Sequence, residues 1–112
     1  MATIFTKIIN REIPATIVYE DEHCLAFRDV RPQAPTHVLV VPKREIAALD
    51  AISPSDAELL GHLWVTIPQI AKQEGLSGGY RVVVNNGPDA GQTVDHIHFH
   101  ILGGRNLAWP PG

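Results

Sequence analysis

The segment His96-Ile97-His98-Phe99-His100 carries three of the chain's six histidines at alternate positions. Side chains of an extended strand point to opposite faces in turn, so this spacing predicts all three imidazoles on one face and Ile97, Phe99 and Ile101 on the other. Burying the apolar face would then leave an exposed row of imidazoles. Neighbours in that row stand roughly 6.5–7 Å apart along the strand, close enough for two rings to reach one small group such as a phosphate or a metal ion. Three readings compete. A merely polar strand face more often uses Thr, Lys or Glu. A metal site can use two histidines at i and i+2, but it also needs a third or fourth ligand and supporting carboxylates, and the local candidate is Asp95. Nucleophilic and acid–base catalysis suits histidine because its reference pKa, about 6.5, lets neutral and charged rings coexist near neutral pH.

A phosphoryl site also needs donors for the phosphate oxygens. The loop Asn86-Gly87-Pro88-Asp89-Ala90-Gly91-Gln92-Thr93 supplies small residues, amides and a hydroxyl directly before the histidines. Its glycines are equally what a turn between two strands would contain. His37, after Pro35-Thr36, is ambiguous when taken alone.

Positioning these groups requires a scaffold. Thr16–Tyr19 and Cys24–Arg28 are short β-favouring runs around the polar Glu20-Asp21-Glu22-His23, which reads as a hairpin. Thr36–Val41 forms a third strand bounded by Pro35 and Pro42, because proline lacks a ladder donor, and Asp29–Pro35 is the connecting loop. Ser53-Pro54 with Asp56 is a helix start. Leu60, Trp64, Ile67 and Ala71, flanked by Leu59, Leu63 and Ile70, extend one long helix to Glu74 with Gly75 as its left-handed stop. Pro68 should bend it. Strands at Gly79–Asn85 and His96–Leu102 complete an α+β fold on a mainly antiparallel sheet, since a single connection is long enough for a crossover. The Trp109-containing end cannot fold alone and should dock on this domain or on a second copy.

Composition narrows the function classes. With 112 residues and 45% hydrophobic content, the chain suffices for one domain, residues 1–112, with one core. A net charge of -3, with no basic run longer than Lys43-Arg44, argues against general nucleic-acid or anionic-lipid binding. No apolar run of about 18 residues indicates a membrane span. The single Cys24 cannot form an internal disulfide and is expected to pack in the core, which suits a reducing cytoplasm.

The sequence His96-Ile97-His98-Phe99-His100-Ile101-Leu102-Gly103-Gly104 resembles the signature of the histidine triad (HIT) family. Ala34-Pro35-Thr36-His37, Val82-Val83-Val84-Asn85, Gly91-Gln92-Thr93 and Trp109-Pro110-Pro111-Gly112 extend the likeness to the Hint branch, the histidine triad nucleotide-binding proteins, over almost the whole chain. His100 at the third triad position resembles hydrolases rather than the nucleotidyltransferase branch, which typically has Gln there.

The resemblance implies a HIT-like fold with a short N-terminal helix, and a homodimer whose two five-stranded sheets form one of ten strands, with Trp109 reaching toward the partner's site. It implies hydrolysis of purine nucleoside phosphoramidates to AMP or GMP. His98 would be the nucleophile, His100 the phosphate and leaving-group contact, and His96 and His37 the supporting pair, with Thr93 assisting the phosphate or the departing amine. Asn85, Gly91 and Gln92 would add phosphate and ribose contacts, and Asp29 would hold the ribose hydroxyls. Val30, Phe27, Phe5 and Ile8 would form the base pocket. Some bacterial relatives bind structural zinc through Cys-x-x-Cys and a later His. Thr3, Thr6 and Glu45 occupy those positions here, so neither metal nor cofactor is expected. The rival reading is a nucleotide-binding or protein-interaction module with little turnover.

Overall fold

The computed structural model describes residues 2–112. Five strands, β1 (Ile17–Glu20), β2 (Cys24–Arg28), β3 (Thr36–Pro42), β4 (Tyr80–Val83) and β5 (Phe99–Gly103), pair antiparallel in the order β1-β2-β3-β5-β4. The helices are α1 (Ile4–Ile9) and α2 (Ala57–Gln73). This is the α+β fold expected from the sequence, including the short N-terminal helix. Among the described residues, no helix is long and apolar enough to cross a membrane.

Strand alternation builds a core on each face of the sheet. Cys24, Ala26, Val38, Val40, Ile97, Phe99 and Ile101 join Leu63, Ile67 and Ile70 of α2 in the larger cluster. Leu25, Phe27, Leu39 and Val41 face the other way and meet Phe5 and Ile8 of α1. Six residues are too few for a helix stable by itself, so α1 depends on burying Phe5 and Ile8 and on its cap. Thr3 Oγ1 accepts from Thr6 N, and Thr6 Oγ1 accepts from Thr3 N.

The β1–β2 turn is organised by Asp21, whose carboxylate accepts from the His23 and Cys24 amides, from Tyr19 Oη and from His62 Nε2 of α2. Burial opposes ionisation of Asp21, but these donors outweigh it and hold the carboxyl well below the usual range. Cys24 is buried beside this turn, and burial pushes its thiol up to about 12.

The long helix departs from expectation in its first turn and at Trp64. Its first turn, Pro54–Asp56, is a 3-10 turn, a common way to tighten a helix terminus, with Asp56 Oδ2 accepting from Ser53 N at 2.9 Å. Pro68 lies inside α2 without interrupting it. Its side chain is exposed, which leaves the carbonyl that loses its partner on the solvent side. Trp64, expected on the apolar stripe, is 51% exposed, although its ring meets Phe99 edge-on. The stop at Gly75 is as expected. Gly75 has φ +75°, its N–H donates to Lys72 O and the Leu76 N–H donates to Ala71 O, the paired bonds of a Schellman cap.

The strand carrying the histidines begins later than His96. β5 pairs with β3 from Val40↔Phe99 to Thr36↔Gly103, and His96 and His98 precede that ladder. Pro42 offers no amide to extend the pairing. The Ile97 N–H instead donates to Ile46 O at 2.6 Å, in the segment that follows β3.

Candidate active site

The histidines do not form an exposed row. His96 is 0% exposed, His98 5% and His37 6%; α1 covers the first two, its Phe5 ring standing edge-on to them with centroids 6.0 and 4.9 Å away. The two-face reading placed Ile97, Phe99 and Ile101 correctly. It missed that the opposite face has a core of its own.

Each imidazole is oriented by a hydrogen bond that determines where its proton resides. His98 Nδ1–H donates to the His96 carbonyl at 2.7 Å, so the lone pair of a neutral ring lies on Nε2. The Gln33 N–H donates to His37 Nδ1 at 3.0 Å, so neutral His37 carries its proton on Nε2 and donates it to His100 Nδ1 at 2.9 Å. His100 then keeps its proton on Nε2. The pairing follows from register, since Leu39 lies opposite His100 and His37 opposite Leu102, which makes the two histidines diagonal neighbours on one face. His96 Nε2–H donates to Pro42 O at 2.8 Å, while among the described residues its buried Nδ1 has no hydrogen-bond partner.

Burial lowers the pKa of His37, His96 and His98 below the usual histidine value. His100 is pushed down to about 4 by burial, with repulsion from His98 and His37 adding to it. The folded protein thus holds these rings neutral where an unfolded chain would begin to protonate them, near pH 6.5. Two consequences follow for a reaction needing neutral His98. The acidic limb of kcat/KM is expected below pH 6.5. Folding stability is expected to fall as pH drops from about 6.5 toward 4, because the unfolded chain then binds more protons than the folded one. A kcat/KM profile and melting temperatures across that range check both; a limb at pH 7 or a flat melting curve contradicts the neutral-triad description.

A cavity of about 290 Å³ opens beside His98 and His100 and is lined also by Phe5, Ile8, Phe27, Asp29, Val30 and Thr93. These eight of the expected site residues therefore meet at one place. His37 and His96 support it from behind. Val30 is 92% exposed and reaches the cavity only at its rim. Asn85, Gly91 and Gln92 are not among the lining residues and instead shape the loop. Asn85 donates to Ala90 O, while Gln92 accepts from Gly87 N and donates to Ala47 O and Val94 O. Gly91 has φ +82°, a left-handed conformation that favours glycine. Lining residues not singled out from the sequence include Ile4, Ile13, Pro14, Ala15, Arg28, Leu39 and Val94. Leu39 was findable, two residues from His37 on the same strand face; the Ile13-Pro14-Ala15 loop has no periodicity to read.

Thr6 Oγ1 donates to Glu45 Oε1 at 3.2 Å, and Thr3 and Thr6 cap α1. Hydroxyls and a carboxylate therefore stand where relatives with structural zinc have thiolates and imidazole, and this donor set does not fit that ion.

The family described as HIT domain matches residues 10–107. A maize protein named 14 kDa zinc-binding protein is 55% identical over 112 residues, covering 98% of this chain and 88% of its own length. The crystal structure of a HIT family hydrolase from Legionella pneumophila superposes with a TM-score of 0.97 at 50% identity, covering 99% of this chain and 100% of that one. A histidine triad nucleotide-binding protein from Candida albicans superposes with a TM-score of 0.83 at 35% identity, covering 97% of this chain and 83% of that one. Sequence and fold agree, and the chain belongs to the HIT domain family.

Proposed function

We propose that this protein is a purine nucleoside phosphoramidate hydrolase of the Hint branch, acting as a single HIT domain over residues 1–112. The observation that carries the reading is the hydrogen bond from His98 Nδ1–H to the His96 carbonyl, which leaves Nε2 as a nucleophile on the wall of a largely apolar cavity. The purine would lie between Phe5, Ile8, Phe27 and Val30, and the ribose hydroxyls would donate to Asp29. His98 Nε2 forms a bond to the α-phosphorus as the phosphorus–nitrogen bond breaks, and the leaving nitrogen takes a proton from solvent, relayed through the Thr93 hydroxyl, so that it departs as the neutral amine. Neutral His100 donates its Nε2–H to a phosphoryl oxygen rather than acting as a strong acid. Water then attacks phosphorus, the bond to Nε2 breaks with its electron pair returning to a neutral His98, one proton of the water goes back to solvent, and AMP or GMP is released. His37 holds His100, while Asn85, Gly91 and Gln92 set the loop that carries Thr93.

A homodimer accords with this reading. β4 is an open sheet edge, and Trp109 is 82% exposed on a tail that Arg81 anchors through the Leu107 and Ala108 carbonyls. A single buried thiol accords with a reducing cytoplasm. The test is adenosine phosphoramidate bearing a fluorescent amine. Release of the amine together with AMP is expected. Tight AMP binding without release would move the assignment to a binding module.

A further inference from the structure

Asp29 faces two ways. It follows β2 directly, and its N–H donates to the His37 carbonyl at 2.9 Å, which clamps it to β3. One carboxylate oxygen, Oδ1, is committed to the Arg31 N–H at 2.7 Å. The other, Oδ2, lies 3.5 Å from His37 Nε2, the same nitrogen that donates to His100. The side chain is 20% exposed and lines the cavity, so one carboxylate borders both the ligand space and the imidazole pair.

We propose that Asp29 is a positioning residue for the histidines as well as a sugar contact, so that one carboxylate oxygen couples occupation of the ribose site to the electrostatic state of the triad. The inference rests on the nucleotide reading for its sugar half and on geometry alone for its triad half. A negative charge at this distance in a partly buried site favours positive charge on the neighbouring rings. It acts in that sense on His37, His98 and His100, against the burial that pushes all three down. The groups facing these rings from every side leave Asp29 as the nearby anion. His96 precedes β5. His37 comes from β3. Phe5 and Ile8 of α1 bring no charge. Arg28, at the end of β2, is paired with Glu74, and Glu45 acts on His96. Hydroxyls donating to Oδ2 would disperse its charge and weaken its hold on His37.

The first experiment needs no substrate. Histidine ring NMR titrations of the ligand-free protein would compare wild type with Asp29→Asn, which keeps an acceptor for the Arg31 N–H. Titration midpoints of His37, His98 and His100 are expected about one pH unit lower in the variant; unchanged midpoints overturn the proposal. A kinetic cycle then separates the two roles, using ribose and 2′,3′-dideoxyribose phosphoramidates with each protein. If Asp29 serves only the sugar, Asp29→Asn has no effect on kcat for the dideoxy substrate. Under the proposal it moves the acidic limb for that substrate about one pH unit lower and raises kcat up to about tenfold at pH values below the wild-type limb, because lowering the His98 midpoint by one unit enlarges its neutral, nucleophilic fraction there by tenfold. Absence of turnover by wild type would count against the hydrolase reading only, and the NMR comparison would still decide the role of Asp29.

Discussion

Replacing His98 with alanine is expected to lower phosphoramidate hydrolysis by about ten-thousand-fold or more, the scale on which loss of a nucleophile removes a covalent pathway while positioning groups remain. AMP binding should survive, because Phe5, Ile8, Phe27 and Asp29 remain on the cavity wall. His98 is 5% exposed and its Nδ1–H satisfies the His96 carbonyl, so the substitution also leaves a buried acceptor unpaired. The melting temperature must therefore be measured beside the rate. A folded His98→Ala protein that releases amine at the wild-type rate would refute the phosphohistidine route. A second check is His98→Gly with added imidazole. Partial recovery of turnover is expected, because the free ring can occupy the space of the lost one and attack phosphorus in its place.

The largest effect on stability is expected at Phe5. Its ring is 6% exposed and sits edge-on to Phe27 at 5.5 Å and to His98 at 4.9 Å. It is thus part of the core on the α1 face, the lid over the histidines and a wall of the proposed base pocket. Phe5→Ala should cost about 3–5 kcal/mol through lost burial and the cavity left behind. For a domain of this size that is a melting temperature lower by on the order of 15 °C. Because α1 is six residues long and relies on Phe5 and Ile8 for its packing, the helix should loosen as a unit, shown by faster amide exchange across residues 4–9. Water admitted to the triad should then return the histidines toward their ordinary pKa, raising the acidic limb of kcat/KM. Phe5→Leu, which retains most of the apolar volume, should lose much less stability. Equal losses for the two variants would show that α1 does not depend on this ring.

The sequence by itself determined the elements and which groups are available for chemistry. Proline at strand ends, the Ser53-Pro54 start, the Gly75 stop and the apolar spacing of the helix are local signals, each set by the backbone chemistry of a few adjacent residues. Alternation at residues 96–100 likewise separated the histidines from Ile97, Phe99 and Ile101, and those apolar residues do lie in the α2 core. Tertiary structure decided the state of the histidines. A strand pattern does not reveal whether its polar face meets water or a second layer, and here α1, from the other end of the chain, covers it. Nor does local sequence contain the partner of Pro42 O, which is His96 Nε2 from 54 residues away, or of His100 Nδ1, which is His37 Nε2 from 63 residues away. Those bonds fix which nitrogen of each ring carries a proton and, with burial, keep the rings neutral. Trp64 makes the same point on the helix, since periodicity assigned it to the core whereas in the fold it meets Phe99 edge-on and stays half-exposed. Residue types and spacing specify which groups are available for chemistry; register across β3 and β5, and the layer that closes over it, set their protonation, direction and access to a ligand.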